Sequence, residues 1–163
     1  MALFLSCALC LGLTACLDVM EVGSARYDKS RPMTDVNYAA ADILIQQAQN
    51  FVTPKTPIII THLTDLDHPG EKTNFGKLAA EQIANRLVQL GYNVSSGEVD
   101  SNQEHKVISG TYAVARDSVL VNLRLLNPGV EKVVAAYDYQ VPITRNVRDL
   151  TKTEDEKESF FDF

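Results

Sequence analysis

Beyond residue 16 the chain has no cysteine: Cys7, Cys10 and Cys16 account for all three in 163 residues. Once the opening segment is set aside, this excludes a disulfide framework, a cysteine-rich zinc site and an iron–sulfur cluster, so the fold must rest on its hydrophobic core. Positive charge is also scarce. Fifteen Lys and Arg stand against 21 Asp and Glu, a formal net charge of −6, which gives no basic footprint for a nucleic-acid backbone. Catalytic signatures are missing as well, since no GxSxG, HExxH, P-loop or GxGxxG pattern occurs. After the first apolar run there is no second one, as a channel with several membrane-spanning segments per protomer would need.

Charge is absent from the opening itself, where Asp18 is the first charged side chain. Residues 1–15, MALFLSCALCLGLTA, form an apolar stretch ending in small residues, the pattern of a signal peptide. The run is shorter than the roughly 20 residues that a membrane-crossing helix needs. It departs from the usual pattern in having no Lys or Arg ahead of the apolar run. Leu13-Thr14-Ala15-Cys16 resembles a bacterial lipobox, an aliphatic residue and two small ones before the cysteine that is acylated. The resemblance implies a lipoprotein carrying palmitate-type chains on Cys16, its partner there being membrane lipid. Each buried methylene contributes about 0.8 kcal/mol, so several chains make a lasting anchor. In such lipoproteins an Asp after the cysteine favours inner-membrane retention, and here that residue is Leu17. Attachment to the cell outer membrane, facing the periplasm, is the expectation.

Four segments follow from composition: 1–15 as signal peptide, 16–33 as lipidated cysteine and flexible tether, 34–150 as one folded domain, and 151–163 as an acidic tail. The tether ends at Arg31-Pro32 and has a reach of roughly 23 Å. The tail, TKTEDEKESFFDF, holds five acids and two lysines, half the formal charge of the chain. That composition reads as a solvated end, with Phe160, Phe161 and Phe163 as alternative anchors for a partner groove.

Within the domain, VNYAAADILIQQAQNF predicts a helix capped by Thr34 or Asp35 and ended by Pro54 and Pro57. Tyr38, Ala41 and Ile45, with Ala40, Leu44, Ala48 and Phe51, form its broad apolar side. PIIITHL is a short β-branched run apolar on both faces, hence an interior strand. A polar loop, TDLDHPGEK, leads to a second helix from about Asn74 to Leu90 with Thr73 or Asn74 at its cap. Gly91 stands where a left-handed C-terminal cap belongs, and Gly91-Tyr92-Asn93-Val94 re-enters as a short edge strand. KVISGTYAVA, SVLVNLRLL and EKVVAAYDYQVP are three strands separated by Arg116-Asp117 and Asn127-Pro128-Gly129, an antiparallel meander. In the last, Val133, Ala135, Tyr137, Tyr139 and Val141 are expected on one apolar face and Lys132, Val134, Ala136, Asp138 and Gln140 on a mixed one. The fold class is α/β: a two-layer sandwich, helix-strand-helix-strand followed by the meander, with two helices on one face of a mixed sheet.

Tyr38-Ala39-Ala40-Ala41-Asp42, Phe75-Gly76, Ala80-Glu81-Gln82-Ile83, Leu87, Gly91-Tyr92, Ser109-Gly110-Thr111-Tyr112, Asn122-Leu123-Arg124-Leu125 and Val141-Pro142-Ile143 together resemble the FlgO family over roughly residues 34–150. The resemblance implies a domain related in fold to the TolB N-terminal domain and to CsgG-type lipoproteins. It implies an outer-membrane lipoprotein of flagellar assembly, motility or envelope organisation, with envelope or flagellar protein partners, no catalytic residues and no cofactor. Gly76 is expected to allow close approach of helix and sheet, and Gly110 to mark a bulge or close packing.

For chemistry, the loop THLTDLDHPGEK offers His62, Asp65, Asp67, His68 and Glu71 within ten residues. A small-ligand or metal-dependent enzyme built on this loop is the alternative reading, although its spacing matches no zinc or EF-hand pattern. A component of a secretion or envelope assembly complex is the third.

Overall fold

The computed structural model describes residues 29–95 and 104–153. Cys16, the tether up to residue 28, the 96–103 part of the polar loop and the tail from residue 154 lie outside the described residues. The first helix, α1, spans Met33–Gln47. Its cap differs from the sequence expectation: Thr34 and Asp35 already lie in the first turn, and Pro32 is the N-cap, its carbonyl accepting from the Asp35 and Val36 amides. A proline there fixes φ and forfeits only a donor that the helix start cannot use. Thr34 Oγ1 instead accepts from Gln82 Nε2 at 2.9 Å. The helix also ends well before Pro54, and the turn after it carries Phe51 out to 46% exposure, beneath Lys132 Nζ at 5.5 Å from the ring centroid.

Three buried isoleucines make β1 (Ile58–Ile60), and the loop after it contains an unanticipated two-residue strand, β2 (Thr64–Asp65). Helix α2 (Asn74–Gln89) starts at Thr73, whose hydroxyl accepts from the Gly76 amide, and closes at Gly91, which takes the left-handed φ of 84°. Then follow β3 (Val94–Ser95), β4 (Lys106–Val114), β5 (Ser118–Asn127), a single 3-10 turn over Pro128–Val130, and β6 (Lys132–Pro142). A third helix, α3 (Arg145–Thr151), capped by Thr144, adds buried Val147 and Thr151 to the core, and Thr153 beyond it is buried too. The packed part therefore runs into the segment that composition assigned to the tail.

The sheet runs β3-β1-β4-β5-β6, with β2 pairing β4 off this path. Pairings of β1 with β3 and β4 are parallel and the meander is antiparallel, so the sheet is mixed. All three helices contribute to the core that packs on one side of it. Ile108, Tyr112, Val119, Val121, Leu123, Leu125, Ala135, Tyr139 and Val141 point into that layer against Ala40, Leu44, Phe75 and Ile83.

The expected alternation of the last strand fails at its start. Leu125 pairs with Ala135 but Leu126 with Val133, so Val134 is the extra residue of a β-bulge. The bulge turns Val133 outward to 44% exposure and lets Val134 pack partly into the core.

Because β4 and β6 run in one direction and β5 in the other, the molecule has two poles. One carries the Arg116-Asp117 turn, the start of α1 and all of α3: Lys29 Nζ lies 3.3 Å from Asp117 Oδ2, and Arg148 Nη2 reaches the Arg116 carbonyl. The other carries Phe51, Gly91 and the 3-10 turn.

Candidate functional site

The side of the meander that faces away from the helices has no covering layer among the described residues. Its outward positions are Val107, Ser109, Thr111 and Ala113 on β4, Leu120, Asn122, Arg124 and Leu126 on β5, and Ala136, Asp138 and Gln140 on β6. Register aligns Thr111, Asn122 and Asp138 in one row, and Ala113, Leu120 and Gln140 in the next. Between these rows and Leu66, on the loop after β2, lies a concavity of about 370 Å³. Leu66 and Leu120 are 59% and 43% exposed, a large apolar content for a surface that faces water.

A polar line crosses the same face. Arg124 Nε donates to Asn122 Oδ1 at 2.9 Å, and Asn122 Nδ2 donates to Asp138 Oδ1. Asn122 thus sits between a cation and a carboxylate that β-sheet geometry places on a diagonal, within reach of each other. Arg124 and Asp138 are both exposed and form no ion pair among the described residues, which leaves Arg124 Nη and Asp138 Oδ2 without a partner there. Sequence reading identified β6 as mixed but not this row. An unbulged hairpin would pair Asn122 with Tyr137, and only the one-residue bulge brings Asp138 opposite it.

The loop proposed for enzyme chemistry is split by the fold. Asp65 is turned inward at 3% exposure, where its Oδ1 accepts from the Asp67 amide at 2.9 Å. His68 Nδ1 stands 3.6 Å from Asp65 Oδ2. His62 and Glu71 instead line a separate depression of about 330 Å³ beside Lys72. Asp67 is exposed. Among the described residues no three His, Cys, Asp or Glu side chains converge as a metal site requires. What Asp65 does touch is structural. Tyr112, buried under Phe75 with ring centroids 4.7 Å apart, shares a short hydrogen bond with Thr73, the cap of α2. Burial pushes the Tyr112 hydroxyl well above its ordinary pKa, the Thr73 bond opposes this, and the Asp65 carboxylate adds to it.

The glycines singled out in the sequence lie at three distinct constraints. A Cβ on Gly76 would stand 2.2 Å from the Leu63 carbonyl oxygen, while the Gly76 carbonyl accepts the Leu63 amide at 3.2 Å. The loop backbone therefore lies directly on the first turn of α2. At Gly110 a Cβ would meet the Asn122 carbonyl oxygen at 2.7 Å and Leu123 Cδ2 at 2.9 Å. Pairing of β4 with β5 is unbroken through Gly110, so the glycine answers close packing and not a bulge. Gly91 has open space around it and is required by its φ.

Across the helical layer, Arg86 grips Asp42 at two points, Nε to Oδ1 at 2.7 Å and Nη2 to Oδ2 at 2.9 Å, and lies over the Tyr38 ring. The hydrogen bond that Arg86 donates to Asp42 raises the Arg86 pKa further. Tyr38 and Asp42 open and close the first stretch of the family resemblance, and the contact shows their structural use in holding α1 to α2. No described helix is long and apolar enough to cross a membrane.

Comparison with known proteins agrees with this architecture. A family profile described as "FlgO protein" matches residues 38–102 and 96–146. Among solved structures, the C-terminal domain of LpoB from Escherichia coli is similar with a TM-score of 0.51 and 10% identity, covering 68% of this chain and 98% of that one. The LpoB C-terminal domain from Salmonella enterica covers 71% of this chain and 98% of its own, with 11% identity and a TM-score of 0.46. At 10% identity the first of these likenesses is one of fold. No curated protein matches the chain.

Proposed function

The chain belongs to the FlgO family, and we propose that it is a lipid-anchored cell-envelope protein that works by protein contact through the open face of its sheet. The observation that carries this reading is the uncovered face itself: exposed Leu66 and Leu120 around a concavity, beside a polar row built from three strands. A solvated sheet face normally alternates polar residues outward, and apolar side chains gathered there mark a contact surface. Support for the anchor comes from the sequence, in the apolar leader of residues 1–15 and the lipobox-like Leu13 to Cys16. Acylated Cys16 and a tether ending ahead of the Pro32 cap of α1 would hold the domain at the periplasmic side of the outer membrane. Family membership favours flagellar assembly or motility as the setting. The divergence of His62 and Glu71 from Asp65 and His68 gives no footing to the enzyme alternative.

Two experiments test the parts separately. Palmitate labelling in cells is expected to mark the wild-type chain and to be lost in Cys16→Ser; equal labelling of both removes the anchor. Deletion of the gene is expected to reduce swimming and filament number, and unchanged swimming with unchanged filaments removes the flagellar setting.

A further inference from the structure

We infer that the open sheet face binds a second copy of this chain, face to face, with Arg124 of each copy against Asp138 of the other. The inference rests on the reading of that face as a contact surface and names its partner. Three observations lead to it. First, the face carries one uncompensated charge of each sign. Asn122 occupies the inner side of both, through Arg124 Nε and Asp138 Oδ1, and keeps them from closing on each other. The Nη and Oδ2 atoms, on exposed residues and without a partner among the described residues, remain for an external one, and a bidentate arginine–carboxylate contact suits them. Second, a surface with one cation and one anion side by side is its own complement under a two-fold axis passing between them, which is the defining property of an isologous interface. A partner of single sign would satisfy one charge and bury the other unpaired, at a cost. Third, the charges are flanked by apolar side chains on both sides along the strands, Leu66, Ala113 and Leu120 toward one pole and Leu126 and Val133 toward the other. Sheet-on-sheet packing therefore buries apolar surface around the charged centre.

Size sets the strength. Three strands about 4.8 Å apart and about nine residues long, at about 3.4 Å per residue, present roughly 400 Å² per copy. That falls at the low end of specific interfaces, so the dimer is weak and reversible in solution. Two copies anchored in one membrane are held at high effective concentration, which favours the contact without strengthening it.

The test uses the full-length chain in cells, expressed from two genes with different tags, with photoreactive benzoylphenylalanine replacing Leu66. Light is expected to cross-link the two tags in the wild type. Arg124→Asp in both copies, or Asp138→Arg in both, sets like charges against each other and is expected to lower the yield about ten-fold or more. Pairing one Arg124→Asp copy with one Asp138→Arg copy rebuilds both cross-copy contacts and is expected to restore the yield, which a folding defect would not allow. Cross-linking indifferent to both reversals, or not restored by the mixed pair, overturns the inference. A Leu66 cross-link to some other protein and none to the second tag overturns it too, while leaving the contact-face reading in place. Absence of any protein cross-link overturns both.

Discussion

The Tyr139 hydroxyl donates a 2.7 Å hydrogen bond to Asn37 Oδ1, in a place where the asparagine is fully buried and the tyrosine nearly so. Asn37 Nδ2 donates onward to Gln82 Oε1 at 2.7 Å, and Gln82 Nε2 to Thr34 Oγ1. One run of four polar side chains thus ties β6 to α1 and α1 to α2 through the core. A buried amide is tolerable only because its oxygen and nitrogen are both engaged.

Removing the centre of this run should cost more than removing its end. Asn37→Ala strands the Tyr139 hydroxyl and the Gln82 amide and leaves a void, and is expected to lower stability by about 2–4 kcal/mol. Tyr139→Phe keeps the packing and strands one oxygen, for about 1–2 kcal/mol. Urea unfolding monitored by circular dichroism measures both, and a larger loss in Tyr139→Phe would contradict the arrangement.

Glycine substitutions should separate by what a Cβ meets. Gly76→Ala and Gly110→Ala drive a methyl into backbone oxygens and are each expected to cost on the order of 2–4 kcal/mol. Gly91→Ala is strained by its backbone alone, for about 1 kcal/mol. Gly70, with nothing near it and no unusual φ, accepts alanine without loss. Thermal melts of the four variants give the order, and a neutral Gly76→Ala would refute the close loop-to-helix contact.

Alkaline pH should unfold the domain through two phenols. Burial raises the pKa of Tyr112 and of Tyr139 above the value of about 10 that they have in the unfolded chain. The folded state holds these protons more tightly, so the contribution is complete below about pH 10 and declines as pH rises above it, by up to about 1.4 kcal/mol per pH unit for each tyrosine. Stability measured at pH 9, 10 and 11 should fall, and fall less steeply when Tyr112→Phe and Tyr139→Phe are combined. An equal slope in that variant would assign the loss to other groups.

Metal should leave the protein indifferent. With His62 and Glu71 lining one depression and Asp65 turned into the core beside His68, zinc has no shared point of attachment on this loop or elsewhere among the described residues. Neither added zinc nor a chelator is expected to shift the melting temperature, and His62→Ala is expected to melt with the wild type. A zinc-dependent rise abolished by His62→Ala would revive the enzyme reading.

Much of the fold was legible because strong local signals agreed with the tertiary structure. The β-branched Ile58 to Ile60 run, the Thr73 cap and the Gly91 stop fall where the sequence places them. What escaped has particular causes. Strand β2 is two residues long, below any periodicity, and exists because Thr64 and Asp65 lie beside Thr111 and Tyr112. Helix α3 has seven residues and is held by the burial of Val147 and Thr151. The cap of α1 was misplaced because Thr34 makes its bond to Gln82, a residue 48 positions away. The polar row of Asn122, Arg124 and Asp138 eluded the sequence for the deepest reason. A single extra residue at Val134 decides whether Asp138 or Tyr137 faces Asn122, and no local pattern announces the insertion.

The position of the two chain ends bears on how the domain is oriented at a membrane. The described chain enters at Lys29 beside Asp117 and leaves through α3 beside Arg116, so under the proposed anchor the tether would join the domain at one pole. The meander strands run from that pole to the other, so the open face flanks this axis and does not lie at the end where a tether would join. Under the proposed anchor and pairing, neighbouring copies would meet by lateral diffusion, and their crowding in the membrane, not their total amount in the cell, would set how often they pair.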